Sequence, residues 1–396
     1  MAALTARRFK AFVANRIGKR YFDQCGDGRP KPQIAARVLL WAHLIGYVLR
    51  EVSYHAIEAL ARGPGRRSAG LSRSFGDDAL SYFSERLDPQ PTRLVLVALL
   101  RQAKCNKAFD NSRFIGLAVD GTGTSRSEKQ RCELCRPRYN ARHEVCGYSH
   151  HLSLITLVGT GLSLPFDVEH YGPGDSEYSA SLRLLVRAVR ALGPRFADYV
   201  VVDGEYATAP FLHTACALGL HPVARLKNNL PELMSAASVR FANQAPTSIQ
   251  QIDGDKVELW DAEDFDPWQE LRWPTVRVLR YRQHRPDGSV CEACWLTNWS
   301  IKKVGSVRLY RMAKSRWEVE NQAFNDSKSR YGFEHAAHHH PRSLLVSALL
   351  TVLAISLERL FRLRYLKRGS HKPRSAIDLV RALRLSLGHS SRHDTS

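Results

Sequence analysis

Five short apolar runs between residues 114 and 226 constrain the fold of this chain more than any other feature. Each has the length and the Val, Ile, Leu and Phe content of a buried β-strand. Between the third and fourth runs, residues 177–193 have the periodicity of an amphipathic helix, and Gly193 is placed to end it. Three strands, a helix and two further strands predict a mixed α/β sheet. The runs are FIGLAV (114–119), HLSLITLV (151–158), LSLPFDV (162–168), DYVVV (198–202) and HPVARL (221–226).

The sequence on either side of these runs has a different texture. Apolar residues recur at three- and four-residue spacings in 33–62 and 77–109, which predicts an all-helical N-terminal domain. Residues 275–284 and 290–299 alternate on either side of RPDG, as in a hairpin of an inserted β-rich segment. The predicted organisation is a helical N-terminal domain (1–112), an α/β domain in two parts (113–229 and 301–368), a β-rich insertion (230–300) and a basic C-terminal tail (369–396).

The chain carries a formal net charge of +20, which is concentrated at its two ends. Residues 1–112 carry +10 and residues 301–396 carry +12, whereas the middle of the chain carries −2. Two basic regions around a near-neutral middle indicate a polyanionic partner, and nucleic acid is the best candidate. A solubilising basic surface is the alternative interpretation.

The cysteine content and the apolar segments bear on the cellular compartment. Eight cysteines are too few and too irregularly spaced for a disulfide scaffold in 396 residues, which favours a reducing compartment. The N-terminus MAALTARRFKAF lacks the apolar core of a signal peptide. The longest apolar stretch, 343–357, is interrupted by Ser and Thr and is shorter than the ~18 residues of a membrane span. We therefore expect a buried helix there, and a cytoplasmic protein without a membrane partner.

Three acidic residues are placed where a fold could bring them together. Asp120 follows the first apolar run and Asp203 the fourth, so each is expected at a strand end, where α/β folds bind ligands. Glu320 lies on a predicted helix, four residues after Arg316. Carboxylate oxygens are the ligands that Mg²⁺ prefers. The alternatives are turn capping for the aspartates and a surface ion pair, contributing ~0.3–0.5 kcal/mol, for Arg316 and Glu320.

Three sequence blocks, AVDGTG, VVVDGEY and RWEVENQAFNDSK, follow one another along the chain. In that order they resemble the catalytic blocks of DDE transposases from bacterial insertion sequences, in the group with a Tyr-Arg-Glu-Lys signature and a β-strand insertion domain. The resemblance implies an RNase H-like catalytic domain in which Asp120, Asp203 and Glu320 hold two Mg²⁺ ions, with Mn²⁺ as a substitute. It further implies double-stranded DNA partners (terminal inverted repeats and target DNA), a homodimer in a synaptic complex, and a bacterial, nucleoid-associated location.

The same resemblance implies DNA contacts around the glutamate. In the signature Tyr-x2-Arg-x3-Glu-x6-Lys, Arg316 and Glu320 match in spacing. The nearest tyrosine, Tyr310, lies three residues early, and Ser327 occupies the lysine position, with Lys328 one residue late. Arg316, Tyr310 and Lys328 are therefore the expected phosphate contacts of this segment, and positioning of a carboxylate is the alternative role of Arg316.

Two further groups of residues are candidates for DNA binding. Trp295 and Trp299, on the last strand of the insertion, could stack on an extruded base, with burial in the core as the alternative. Arg225 and Lys227, at the end of the strand that follows Asp203, would face the same crevice and contact phosphates, with simple solvation as the alternative.

A loop rich in cysteine and histidine follows the first acidic block. The segment CELCRPRYNARHEVC has the spacing Cys-x2-Cys-x7-His-x2-Cys, which could bind a structural Zn²⁺ ion. A reduced, metal-free loop is the alternative. The ligands would be Cys132, Cys135, His143 and Cys146. The histidines between 335 and 340 are instead expected to form a loop that caps the next helix.

These features together predict a metal-dependent DNA transposase, in which the helical domain (1–112) binds DNA and the α/β domain (113–229 and 301–368) is catalytic. A water molecule would hydrolyse a phosphodiester at the transposon end, and the freed 3′-hydroxyl would attack target DNA, without a covalent protein intermediate. One alternative is a non-catalytic or domesticated DNA-binding protein derived from a transposase, although intact carboxylates in all three blocks argue against it. A zinc-dependent hydrolase is a further alternative, but four soft ligands would leave no open position for water.

Overall fold

The computed structural model describes residues 2–365 and 375–387. Its N-terminal region is helical, as the periodicity predicts, although its separation as a domain stays a prediction. Ser53 begins the fourth helix by accepting a hydrogen bond on its Oγ from the backbone N–H of Ala56, at 3.1 Å. The helices are α1 (Ala2–Ile17), α2 (Lys19–Asp23), α3 (Ala36–Val48), α4 (Tyr54–Arg62), α5 (Asp77–Arg86) and α6 (Gln90–Cys105).

Ten strands of the described chain form one sheet, in the order β2-β3-β1-β5-β6-β10-β9-β8-β7, with β4 also paired to β3. Strands β1, β5 and β6 are parallel, whereas β1, β3 and β4 form an antiparallel meander. The five predicted strands and the helix between them are present, which confirms a mixed α/β sheet. The strands are β1 (Gly116–Ser127), β2 (Arg136–Tyr139), β3 (Val145–Val158), β4 (Leu164–Tyr171), β5 (Tyr199–Val202), β6 (His221–Leu226), β7 (Ser248–Ile252), β8 (Asp255–Phe265), β9 (Val276–His284) and β10 (Val290–Thr297).

Helices cover the sheet and connect its strands. Helix α7 has Ser176 as its N-cap and begins at Glu177 beside the meander, while α12 packs against β4 on one side and against α3, α5 and α6 on the other. The N-terminal helices therefore share one continuous hydrophobic core with the sheet. These helices are α7 (Glu177–Leu192), α8 (Ala209–Ala217), α9 (Pro231–Ala242), α10 (Ser306–Lys314), α11 (Asn325–Tyr331), α12 (Pro341–Tyr365) and α13 (Ala376–Leu387).

The segment predicted as a β-rich insertion contains strands β7 to β10, and it also contains α9, which the sequence pattern did not predict. Its last strand pairs antiparallel with β6 through the register Leu226↔Cys294, so the segment extends the main sheet. The boundaries of this insertion stay a prediction. Of the predicted basic tail, only the part that forms α13 lies within the described residues.

Helix α12 contains the longest apolar stretch of the chain. By length and composition it could cross a membrane, since its most apolar window has a mean hydropathy of 2.0. However, 89% of that window is buried inside the molecule. This burial agrees with the predicted core helix, which here joins the sheet to the N-terminal helices.

Candidate active site

Two of the predicted carboxylates lie on neighbouring parallel strands. Ala118 of β1 pairs with Val201 of β5, and Asp120 and Asp203 each follow two residues later. Asp203 comes directly after the last residue of its strand and precedes a 3₁₀ turn at Gly204–Tyr206. Asp120 was also predicted at the end of its strand, and that prediction is wrong. Strand β1 continues beyond it to Ser127, paired with β3. Asp120 lies where the pairing with β5 stops, so the two aspartates flank the same opening.

The third carboxylate reaches this opening from a helix with irregular hydrogen bonding. Glu320 lies in a π-helical segment, Val319–Phe324, between α10 and α11, where the N–H of Asn325 donates to the carbonyl of Glu320, five residues earlier. Such widened turns occur frequently at functional sites. The Arg316 guanidinium joins two of the carboxylates, with Nη2 2.7 Å from Glu320 Oε1 and Nη1 3.4 Å from Asp120 Oδ2.

Asp203 has a different environment from the other two. Lys227 Nζ lies 2.5 Å from its Oδ2, whereas its Oδ1 is buried and has no hydrogen-bond partner among the described residues. Partial burial works toward a higher pKa, but the Lys227 hydrogen bond, the Gly204 N–H and the charges of Arg316 and Lys227 together lower the pKa of Asp203. The carboxylate is therefore held in its ionised form.

A fourth carboxylate, Glu177, lies beside Asp120 and was not predicted. Its Oε1 accepts a hydrogen bond from Tyr206 Oη at 2.9 Å, and its Oε2 accepts one from Tyr171 Oη at 3.1 Å. A Cβ atom added to Gly121 would lie 2.0 Å from Glu177 Cδ, so a side chain at that position would collide with the carboxylate. In sequence, Glu177 has the signature of an ordinary acidic residue in the first turn of a helix, which conceals its position.

The electrostatics of Asp120 reflect this crowding. Burial, above all, raises the pKa of Asp120 to about 7, and the nearby charges of Glu177 and Glu320 act in the same direction, while the Arg316 guanidinium opposes them. The described side chains thus bring several carboxylates together with one arginine close to Asp120. Such a site is short of positive charge.

A basic cleft of about 730 Å³ opens beside these residues. Lys328 lies on its wall together with Glu177 and His151, and its DNA contact stays a prediction. Ser327, which occupies the lysine position by residue count, is instead fully buried, and its Oγ donates to the carbonyl of Ala323. The other basic residues of the wall are Arg126, Arg136 and Arg138.

Three aromatic residues that were predicted to contact DNA lie in the core. Trp295 and Trp299 are 2% and 4% exposed, and Trp299 stacks on His221 with ring centroids 4.4 Å apart. Tyr310 is 3% exposed, and its hydroxyl donates to Gln283 Oε1 at 3.4 Å. The structure therefore corrects these predictions, because a buried ring has no free face to stack on a base and a buried hydroxyl cannot reach a phosphate.

Arg225, on β6, and Lys227, in the loop that follows β6, have different surroundings. Lys227 pairs with Asp203, so it belongs to the site. Arg225 is half-buried and lies opposite Trp295 of β10, where its charge acts on Tyr281 and Cys294. Arg316 is 5% exposed and contacts carboxylates. Phosphate contacts by Arg225, Lys227 and Arg316 stay predictions.

The cysteine-rich loop forms a different cluster from the one predicted. Cys132 and Cys135 lie beside His150, whereas His143 and Cys146 are exposed and do not join them. The reason is strand register: β2 begins directly after Cys135 and pairs with β3, and the hairpin turn between them carries His143 away. The histidine brought alongside the cysteines is instead His150, which lies on β3.

Comparison with known proteins agrees with this geometry. Residues 112–357 match the family model of the transposase DDE domain. Among solved structures, the chain is similar to a piggyBac transposase in a cryo-EM structure of its synaptic complex with hairpin DNA. That likeness has a TM-score of 0.51 and 11% sequence identity, covers 96% of this chain and 80% of the other, and concerns the fold. A search of curated proteins found no match. Because the family match spans more than half of the chain and contains Asp120, Asp203 and Glu320, the chain belongs to the transposase DDE domain family and is a DNA transposase.

Proposed function

We propose that this transposase cuts and joins DNA with two divalent metal ions, Mg²⁺ or in its place Mn²⁺, held by Asp120, Asp203 and Glu320. The observation that carries the proposal is the convergence of these carboxylates. Arg316 contacts Asp120 and Glu320, and Asp203 directly follows the neighbouring parallel strand. Carboxylate oxygens are the ligands that hard cations prefer.

The residues of the site fit such a cation. Asp203 Oδ1 is buried and lacks a hydrogen-bond partner among the described residues, which leaves a ligand atom available. Asp120 is close to the negative charges of Glu177 and Glu320, and Arg316 is the cation whose contacts with this group are direct. Bound cations would offset the remaining negative charge. We include Glu177 in the proposal as a fourth carboxylate that acts beside Asp120.

Each protein group has a defined part in the proposed reaction. When bound, the cations supply activation of the attacking oxygen and stabilisation of the charge that develops on the phosphate. Arg316 holds Glu320 and Asp120 in a fixed relation through its planar guanidinium. Lys227 keeps Asp203 ionised, and Tyr171 and Tyr206 fix both oxygens of Glu177. Attack by water breaks the phosphodiester at the transposon end, and the freed 3′-hydroxyl then attacks target DNA.

The basic cleft gives the DNA backbone a route to these carboxylates. Arg126, Arg136, Arg138 and Lys328 line it, and Glu177 lies on the same wall. Four cations along one groove supply the positive charge that attracts a phosphate backbone. We infer that the strand to be cut lies along this cleft with its scissile phosphate next to Asp120.

Several finer assignments belong to the same proposal. The order of the antiparallel meander followed by parallel β5 and β6 supports an RNase H-like catalytic domain. The strands β7 to β10, which lie before the Glu320 helix, support the insertion-sequence group with a Tyr-Arg-Glu-Lys signature. The net charge of +20 supports DNA partners. On the strength of the sequence resemblance, we further propose a homodimer that binds terminal inverted repeats and target DNA in the bacterial cytoplasm, at the nucleoid.

The test of the proposal is substitution of each carboxylate by its neutral isostere. Asp120→Asn, Asp203→Asn and Glu320→Gln should each reduce Mg²⁺-dependent cleavage by on the order of 10²-fold or more, because each removes a charged ligand atom. Cleavage is measured on a plasmid that carries the DNA flanking the gene, with DNA binding measured in parallel by a gel-shift assay. Binding should stay close to that of the unsubstituted protein.

Glu205→Gln is the matched control, since Glu205 follows Asp203 by two residues but is exposed. This variant should cleave normally. Retained cleavage in any one of the three isosteric variants would remove that residue from the site. A protein that binds the flanking DNA tightly but cleaves it with neither Mg²⁺ nor Mn²⁺ would instead favour the non-catalytic, domesticated DNA-binding protein.

A further inference from the structure

The cluster formed by Cys132, Cys135 and His150 has the dimensions of a zinc site. The two Sγ atoms are 3.8 Å apart, and His150 Nε2 lies 3.1 Å from Cys132 Sγ and 3.3 Å from Cys135 Sγ. Tetrahedral Zn²⁺ with Zn–S bonds of about 2.3 Å requires about 3.8 Å between two sulfurs and about 3.5 Å between sulfur and nitrogen. The imidazole therefore needs only a slight outward movement to admit an ion.

The surroundings orient all three groups toward a common point. Ser125 Oγ lies 2.8 Å from His150 Nδ1, so that with the proton on Nδ1 the lone pair of Nε2 faces the sulfurs. The backbone N–H of Arg131 donates to Cys135 Sγ at 3.4 Å, and the backbone N–H of Leu134 is hydrogen-bonded to the thiol of Cys132. Burial raises the pKa of the Cys132 thiol, and backbone donors of this kind act in the opposite direction, toward the thiolate that binds metal.

The histidine-rich loop before α12 approaches this three-residue cluster. The ring of His339 lies 5.2 Å from that of His150, centroid to centroid. Its Nδ1 is buried and has no hydrogen-bond partner among the described residues, an arrangement that is costly unless the atom binds something. By contrast, the neighbouring His338 contacts Glu85, and His340 accepts a hydrogen bond from the N–H of Arg342 at the start of α12.

We propose that Cys132, Cys135 and His150 bind a structural Zn²⁺ ion and that His339 completes its tetrahedral ligand set. Four protein ligands leave no position for a reacting water, so the ion has a structural role that is separate from the carboxylate site. The ion connects three segments, which are the loop after β1, strand β3, and the loop between the Glu320 helix and α12. Strand β1 is the strand that carries Asp120. The site thereby braces both sides of the basic cleft.

Metal analysis of the full-length protein, purified without chelator, tests the proposal. We expect one zinc per chain by mass spectrometry of the metal content, and X-ray absorption should give two sulfur ligands at about 2.3 Å and two nitrogen ligands at about 2.0–2.1 Å. Cobalt substitution should produce the intense visible bands of a tetrahedral thiolate site. Absence of both zinc and cobalt binding would overturn the proposal, as would a Cys132–Cys135 disulfide in the freshly purified protein.

Matched cysteine variants separate this ligand set from the one that sequence spacing suggests. Cys132→Ser should abolish zinc binding, whereas Cys146→Ser and His143→Ala should retain one zinc per chain, because both residues are exposed and outside the cluster. Zinc loss in Cys146→Ser would overturn the proposed ligand set. Glu320→Gln should also retain zinc, since the two sites are separate.

Two further variants test the site while keeping both cysteine ligands. In His339→Ala, chelator-induced zinc release should be at least ~10-fold faster than in the unsubstituted protein, and Ser125→Ala should accelerate release through loss of His150 orientation. In the unsubstituted protein, each zinc released should expose two thiols to a thiol reagent in addition to those already reactive. An unchanged release rate in His339→Ala would remove His339 from the ligand set and overturn the four-ligand site.

Discussion

Gly121 is the residue at which the packing of the site is tightest. It follows Asp120 on β1, and an added Cβ atom would lie within 2.5 Å of three atoms of Glu177. The absence of a side chain therefore lets a second carboxylate approach the first. Electrostatic repulsion between Asp120 and Glu177 opposes this approach. The hydrogen bonds from the two tyrosines to Glu177 help to offset that repulsion.

Gly121→Ala should reduce DNA cleavage by on the order of 10²-fold, since displacement of Glu177 disturbs the positions of groups that must be held to a fraction of an ångström. Gly123→Ala, two residues along the same strand, should be tolerated because its added Cβ would be 3.7 Å from the nearest atom, on His151. Cleavage rates and thermal unfolding of both variants, measured side by side, check this.

The double variant Gly121→Ala/Glu177→Ala distinguishes a collision from a general strand defect. Removal of the Glu177 carboxylate should restore the thermal stability lost in Gly121→Ala, although activity should stay low. If stability is not restored, the collision described above is not the cause of the defect.

The residues of the site differ in how far the sequence predicts them. Asp120 and Asp203 follow apolar runs, and that position places them at one opening of the sheet. Glu177 and His150 carry no such signal, because one resembles an ordinary helix-start acid and the other reaches Cys132 only through the pairing of β2 with β3. Register and close approach are tertiary properties that spacing along the chain does not encode.

Among the elements, β8 and β9 are joined to the loop before α10 by one buried arginine. Arg277 donates to both oxygens of Asp261, at 2.8 and 2.6 Å, and to the carbonyls of Trp299 and Val304. The Arg277 and Asp261 side chains are 1% and 0% exposed. This contact network fixes the strands of the predicted insertion to the segment that leads into the Glu320 helix.

Arg277→Met should destabilise the protein by ~3–5 kcal/mol, because it leaves the Asp261 charge buried without a partner. Urea unfolding followed by circular dichroism measures this. Arg277→Met/Asp261→Leu should recover much of the loss. As a control, Arg240→Met should cost less than ~1 kcal/mol, since the Arg240–Asp264 pair is exposed. A loss for Arg277→Met as small as that for Arg240→Met would contradict the buried role.

Secondary structure was predictable where the apolar pattern is strong. Strands β5 and β6 and helix α7 lie where the pattern places them, since buried runs and amphipathic periodicity are local signals. The sequence pattern does not predict helix α9, because the β-like alternation around it dominates the segment. The π-helical turn at Glu320 has no local signal at all, because it depends on how the helix packs against its neighbours.

At the scale of the whole molecule, the net charge of +20 predicts steeply salt-dependent DNA binding. Simultaneous replacement of Arg126, Arg138 and Lys328 by Ala should make the slope of the logarithm of the DNA-binding constant against the logarithm of the salt concentration shallower by about 2 to 3. The reason is that about one counterion fewer is released for each lost phosphate contact. Binding titrations over a range of salt concentrations measure the slope.

Arg190, Lys302 and Lys303, which are exposed and outside the cleft wall, provide the matched triple alanine control. This control removes the same net charge and should leave the slope nearly unchanged. Equal slopes in the two triple variants would mean that DNA responds to overall charge, and the cleft would lose its assigned role.

The π-helical turn beside Glu320 has a consequence for how this chain is compared with its relatives. A turn closed by a hydrogen bond over five residues contains one residue more than an α-helical turn. Each residue beyond it therefore points in the direction that the preceding residue would have in a regular α-helix. Lys328, eight residues after Glu320, thus takes the direction that the seventh residue has in a regular helix, toward the cleft, while Ser327 turns into the core. Equivalent residues in this helix are therefore those with the same angular direction, even where an alignment of letters would place them one position apart.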